Sequence, residues 1–218
     1  MSVVTTVSTA LEVPERAVRE TRPGELLLET TTSALSGFAD RVTGALSGRL
    51  LSLFASDERH ANGRFTLHHL WFLPNLRSFL QIVAPVLPSE PSYPSIAAKY
   101  PVANWFEREV MDFFGLIPNG HPNPTRVALH DDWPEGAWAL RKDFPYDAVV
   151  PRAAGDFHPF RPVTGEGVFQ VPVGPVHAGI IEPGHFRFGV AGEPVLYLQL
   201  RLFYVHKGTE KRFERLPW

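Results

Sequence analysis

Two short stretches hold the residues best suited to chemistry. In GPVHAGIIEPGHF at 174–186, His177 and His185 flank Glu182, and His206 follows twenty residues on. Imidazole and carboxylate together are the ligands of metal sites that keep one coordination position open. The other stretch, NWFEREVMDFFG at 104–115, carries Glu107, Arg108, Glu109 and Asp112. Its apolar residues Val102, Trp105, Phe106, Val110 and Phe113 recur with helical spacing. At roughly 100° per residue, Glu109 falls between Trp105 and Phe106 on the apolar arc, Asp112 flanks it, and Glu107 points elsewhere. An ionised carboxylate taken out of water costs several kcal/mol unless it is paired. Arg108 reaches Asp112 at the i to i+4 spacing, so Glu109 needs another answer. Three remain open: an ion pair with Arg126, Arg141 or Lys142, a contact with a neighbouring subunit, or a proton-transfer carboxylate.

The remaining polar groups read more plainly. Gly120, His121 and Pro122, with Arg126, form a turn signal, and His121 has no second ligand at a helical or hairpin spacing. His68 and His69 are adjacent in an extended run and point to opposite faces. Lys207, Lys211, Arg212 and Arg215 form a basic helix face, either solvated or set against an acidic neighbour.

Composition removes whole classes of function. The 218 residues contain no cysteine, which excludes disulfides, thiolate nucleophiles and cysteine-ligated iron–sulfur clusters within these residues. With a net charge of -2, no field favours nucleic acid or an anionic membrane. No run approaches the ~18 apolar residues of a membrane helix, and no secretory signal opens the chain, so a cytoplasmic location is expected. A Gly-rich phosphate loop after a strand and a G-x-S-x-G elbow are both missing, which leaves nucleotide binding and serine hydrolysis unsupported.

The elements that must position these groups suggest an α+β fold. Residues 1–30 show no sustained period and are expected to form a loose N-terminal arm. Leu35, Phe38, Ala39, Val42 and Leu46 predict a helix that Gly48 closes. RLLSLFASDER, RFTLHHLWFL and LRSFLQIV predict three strands, the first two joined at Asn62-Gly63. The result is a small, mostly antiparallel sheet packed with helices. A proline-rich strap follows, and GHFRFGV and VLYLQLRLFYV predict a C-terminal β-hairpin across AGEP.

ANWFEREVMDFFGLIPNGHPNPTRVALHDDW, followed by LRKDFPY, resembles the signature of the C-type subunit of NADH:quinone oxidoreductase, respiratory complex I. The likeness runs from about Phe65 to Tyr146. VPVGPVHAGIIEPGHFRFGVAGEP with RLFYVHKGTEKRFE is similar to the N-terminal part of the large subunit of formate-hydrogenlyase-type [NiFe] hydrogenases, a relative of the D-type subunit of complex I. The resemblance implies an α+β domain of the C type at 31–150 and a truncated large-subunit-like, or D-like, segment at 151–218. It implies that Glu107, Arg108, Glu109 and Asp112 face neighbouring subunits. It also places His177 in a loop that, in the relatives, lies in the quinone cavity or near the metal centre. The cysteine pairs that hold nickel and iron in those hydrogenases have no counterpart here.

The expected function is therefore a non-catalytic docking subunit in the peripheral arm of a membrane-bound redox complex, on the cytoplasmic face. It holds no cofactor itself; iron–sulfur clusters and a quinone or nickel–iron centre belong to partner subunits, and it meets the membrane only through them. Two other readings are a free-standing metal-dependent enzyme using His177, Glu182 and His185, and an orphan binding module derived from a hydrogenase.

Overall fold

The computed structural model describes residues 2–151 and 160–214. Arg215 of the basic C-terminal face lies outside them. The chain divides into two compact units, Met1–Thr125 with Leu140–Lys142, and Arg126–Ala139 with Asp143–Trp218.

The first unit is built on a five-stranded sheet. Its strands are β1 (Val18–Arg22), β2 (Glu25–Glu29), β3 (Arg49–Asp57), β4 (Phe65–Leu73) and β5 (Ser78–Val86), in the order β1-β2-β5-β4-β3. All neighbours are antiparallel except β2 and β5. Helix α1 (Val3–Leu11) packs on α2 (Leu35–Leu46), and after the single turn α3 (Arg59–Asn62) comes α4 (Ala103–Phe114), which packs on β3. Two short strands, β6 (Ser92–Pro94) and β7 (Ile117–Asn119), pair in parallel beside α4.

The arm expected at 1–30 is not loose. Ser2 caps α1 by accepting the Thr5 amide at 3.0 Å, and Val7 and Leu11 are fully buried. β1 and β2 extend the sheet because β2 lies parallel to β5, a pairing between distant residues that no local period records. At the β3–β4 reversal, Asn62-Gly63 closes α3 with Gly63 at φ 77°, where a two-residue turn was expected.

Helices cover one face of this sheet, and His69, on the covered side, is 1% exposed. Burial, with the neighbouring His68, holds its pKa down to about 4. A base with a lowered folded pKa stays neutral while the unfolded chain takes up a proton. Stability is therefore lost as pH falls from about 6.5 towards 4, by on the order of 3 kcal/mol. Urea unfolding across that range should show the slope, and His69→Leu should flatten it.

The second unit carries a three-stranded antiparallel sheet, β10-β9-β8, of β8 (Val168–Val173), β9 (His185–Ala191) and β10 (Val195–Arg201), followed by α5 (Thr209–Phe213). The expected hairpin is thus two strands of three. β8 escaped notice because Pro172 interrupts its pattern, yet proline is tolerated on an edge strand. The strap between the units also divides differently from the expected boundary at 150. Arg126 bonds the carbonyls of Trp133 (2.6 Å) and His130 (3.3 Å) inside the second unit, whereas Leu140–Lys142 returns to the first.

Candidate functional site

Helix α4 does bury a carboxylate, and it is Glu107. Its inward line runs Ala103, Glu107, Val110 and Phe114, all buried, while Val102 and Trp105 are exposed. Because Val102 and Trp105 face outward, the apolar arc drawn through residues 102, 105, 106, 110 and 113 is displaced from the buried line: Glu109, on that arc, is only half-buried, and Glu107, off it, is the carboxylate in the core.

Glu107 is 0% exposed and spends its oxygens on a loop. Ser95 Oγ donates to Oε2 at 2.5 Å and the Ile96 amide donates to Oε1 at 2.8 Å. Burial pushes its pKa up, against the opposing pull of the Ser95 hydroxyl and the Ile96 and Ala97 amides. Burial, and then the Glu107 charge, push the Tyr93 phenol well above its usual value. His121 Nε2 stands 3.9 Å from Glu107 Oε2.

The Gly-His-Pro turn is built around that imidazole. Gly120 sits at φ 82°, His121 Nε2 bonds the Asn104 carbonyl at 3.1 Å, and the Asn123 amide donates to Nδ1 at 3.0 Å. Two backbone partners of opposite sense assign the neutral tautomer with its proton on Nε2. Burial lowers the His121 pKa, in keeping with that assignment. Arg108 fixes the far end of the turn through Thr125, Nε to the carbonyl at 2.6 Å and Nη2 to Oγ1 at 3.0 Å. Asp112 is buried on the same helix.

A second carboxylate went unnoticed in the sequence. Asp57, at the end of β3, has a side chain with 0% exposure and takes Arg59 in a fork, Nε to Oδ1 at 2.9 Å and Nη2 to Oδ2 at 2.7 Å. The Lys142 amide donates to Oδ2 at 2.7 Å. Arg141 Nε donates to the Phe114 carbonyl at 2.8 Å, ending α4, and the Arg59 and Arg141 guanidiniums lie 4.9 and 5.1 Å from the Phe65 ring centroid. The Leu-Arg-Lys stretch is thereby fastened to the sheet. Its only warning in the sequence was an acid beside a base at the end of a strand. On the uncovered face of the sheet a depression of about 500 Å³ is lined by Leu27, Glu29, Arg64, Thr66, His68 and Gln81, among others.

In the second unit the histidines act as staples. His177 Nε2 lies 2.8 Å from the Gly184 carbonyl and His185 Nδ1 lies 3.2 Å from that of Gly174, drawing the two ends of the loop together. His177 meets the Phe186 ring and His185 the Phe160 ring. Phe186 and His185 are neighbours in β9 and point to opposite faces. Glu182 is exposed, and His206 lies 3.8 Å from Glu210. The four residues are not brought to one point: among the described residues, no group of three or more His, Asp or Glu side chains could hold a metal ion. Gly174, at φ 77°, is required here, since a Cβ would stand 2.1 Å from the Gly184 oxygen and 2.7 Å from His177 Nε2. Gly174→Ala should cost about 1–3 kcal/mol and displace the His177 ring, a change visible in its imidazole NMR signals.

Comparison with known proteins adds the context. A family profile described as "Respiratory-chain NADH dehydrogenase, 30 Kd subunit" matches residues 30–150. Formate hydrogenlyase subunit 5 of Escherichia coli (strain K12) is 38% identical over 171 residues, 77% of this chain and 30% of that protein. The C-type subunit of the NADH-quinone oxidoreductase of Mycolicibacterium smegmatis is 45% identical over 75 residues, 34% of this chain and 30% of that protein. The chain thus spans under a third of the length of either relative. A solved structure titled as the membrane-bound sulfane sulfur reductase, an archaeal respiratory membrane complex, shares the fold with TM-score 0.57. It covers 65% of this chain and 85% of that one at 21% identity. No helix among the described residues is long and apolar enough to cross a membrane.

Proposed function

The chain belongs to the respiratory-chain NADH dehydrogenase 30 Kd subunit family, and on that premise we propose that it is a docking subunit of a membrane-associated redox complex, without catalysis of its own. The observation that carries the reading is the reach of the likeness. The match to formate hydrogenlyase subunit 5 spans 77% of the chain, whereas matches to the C-type subunit of NADH-quinone oxidoreductase span 34% and 41%. A hydrogenase-type assembly is therefore favoured over complex I.

The chain's own chemistry supports a holding role. Glu107 and Asp57 direct their carboxyl oxygens to internal loops, and His121, His177 and His185 bond backbone carbonyls. In this reading, partner subunits carry the iron–sulfur clusters and the nickel–iron or quinone centre. They also supply the attachment to the membrane, on its cytoplasmic face. Glu109, Arg108 and Arg126 are offered as subunit-contact residues, and the His177 loop as the part nearest the partner's redox cavity.

The test is blue-native electrophoresis of detergent-solubilised membranes from the native host carrying a tagged chain. The chain should migrate with a redox complex, and purified alone it should oxidise neither NADH nor hydrogen. Migration as a free protein, or turnover by the isolated chain, would refute the proposal.

A further inference from the structure

The depression on the open face of the five-stranded sheet holds opposite charges that stand close together without meeting. The Glu58 amide bonds the Arg64 carbonyl at 3.1 Å, so the two residues face each other where β3 turns back into β4, and both side chains line the cavity. Arg64 nevertheless makes no ion pair with Glu58 or with any other carboxylate among the described residues. Its Nε is buried and has no hydrogen-bond partner. A buried guanidinium N–H calls for an acceptor, and leaving it without one is costly.

The wall beside this gap is pinned by a chain of hydrogen bonds with one direction. Ser56 Oγ donates to Glu58 Oε1 at 2.9 Å and therefore accepts from His68 Nε2 at 2.8 Å, which leaves His68 Nδ1 to accept from Gln81 Nε2 at 2.9 Å. Burial lowers the His68 pKa against the pull of Glu58, in keeping with the neutral ring that this chain requires, and Phe54 stacks on that ring at 4.6 Å. Asn62 Nδ2 donates to Glu58 Oε2 at 2.8 Å. Burial alone would raise the Glu58 pKa, but Asn62, Ser56 and Thr66 outweigh it, so the carboxylate is ionised among neutral donors. The Thr66 hydroxyl, on a residue 6% exposed, leans towards Glu58 without reaching full hydrogen-bond geometry. Glu29, also on the cavity wall, is already paired with Arg19 at 2.8 Å. The unpaired charges of the depression are thus one of each sign.

We propose that this depression binds a free α-amino acid with an apolar side chain. The carboxylate lies against Arg64 and the Thr66 hydroxyl, the ammonium against Glu58, and the side chain against Leu27, Val83 and Pro85, which line the same cavity. The site is confined to the first unit and stands apart from the docking reading.

The charge pattern selects this class. A simple anion would satisfy Arg64 but lie beside Glu58, and a simple cation would satisfy Glu58 and leave the Arg64 N–H bare. A zwitterion meets both, through charge-assisted hydrogen bonds that a partly desolvated cavity strengthens. A volume of about 500 Å³ suits a small molecule. Because the Glu58–Ser56–His68–Gln81 chain already holds the wall in place, little ordering remains to be done on binding.

The test is isothermal titration calorimetry of the purified chain with L-leucine, with N-acetyl-L-leucine, which lacks the ammonium, and with L-leucinamide, which lacks the carboxylate. L-Leucine should bind saturably and shift the His68 imidazole NMR signals, and each analogue should bind at least about tenfold more weakly. Arg64→Gln and Glu58→Gln should each weaken L-leucine binding by at least about tenfold, with the thermal unfolding midpoint of the parent chain retained. Arg16→Gln, at an exposed position outside the depression, should leave binding unchanged. Should Glu58→Gln lower the midpoint, Arg64→Gln decides. Absence of saturable binding at millimolar L-leucine, equal binding of either analogue, or undiminished binding by Arg64→Gln overturns the inference. None of these results alters migration of the chain with a redox complex, so the docking reading is judged separately.

Discussion

Asp57→Ala is expected to lower the unfolding free energy by about 3–5 kcal/mol, a large part of what a domain has to lose. The side chain is wholly out of water and answers three donors: the Arg59 fork, the Arg59 amide and the Lys142 amide. Removing it leaves a guanidinium and two amides without their acceptor. The damage should reach further than one contact, because Lys142 lies 85 residues away in sequence. With its amide released, the Leu140 and Arg141 contacts that close the end of α4 lose their neighbour, so the Lys142 amide should exchange with solvent far faster. Asp57→Asn, which keeps an oxygen for Lys142 but not the charge, should cost roughly half as much. The pH dependence has a definite sign. Burial alone would raise this pKa, but Arg59 and the Lys142 and Arg59 amides outweigh it and hold it at about 2, below the ordinary 3.8. A depressed carboxylate contributes stability above its unfolded pKa and loses it as pH falls from near 4 towards 2. Its share is about 2 kcal/mol. Urea denaturation monitored by tryptophan fluorescence should show that loss in the parent chain and not in Asp57→Ala; equal acid sensitivity in both would refute the assignment.

How far the sequence revealed this architecture depends on where each element's information lies. Helix α2 and strands β3 to β5 announce themselves, since their apolar residues keep a local period that matches the buried positions. β1 does not: VRETR has one buried residue and four exposed ones, and its place is fixed by β2, which is itself placed by β5 far along the chain. The helix of the Glu-Arg-Glu motif was visible but its phase was not. Large apolar residues at 102 and 105 face outward, so a count of hydrophobic side chains points the arc the wrong way. Sites whose partners are backbone groups leave still less trace. Nothing in the letters states that His121, His177 and His185 would each meet a carbonyl, or that Asp57 would meet an amide from the far end of the domain. The family likeness, carried by spaced motifs, draws attention to the Glu-Arg-Glu helix and the His177 loop but carries none of their geometry.

The second large effect concerns Glu107, and it separates a structural carboxylate from a proton-transfer group. Glu107→Ala empties a fully buried site and strands the Ser95 hydroxyl and the Ile96 amide, a loss of about 2–4 kcal/mol from unmade hydrogen bonds and the cavity. The 95–97 turn follows directly on β6, which pairs with β7, and the Ser95 amide bonds the Asn119 carbonyl, so backbone exchange should rise at Ile96 and along residues 117–121 as well. Glu107→Gln keeps the shape and one acceptor and should be milder. Because burial raises the Glu107 pKa, the folded state binds this proton more tightly than the unfolded chain does. Its contribution is therefore complete below about 4.5 and declines as pH rises through the raised value. The advantage of the parent chain over Glu107→Gln should narrow as pH rises above about 4.5. A gap that widened with pH would mean that the Ser95 and Ile96 donors overcome burial. Glu107 would then be a permanently ionised anchor and not a group whose proton the fold holds more tightly than the unfolded chain does.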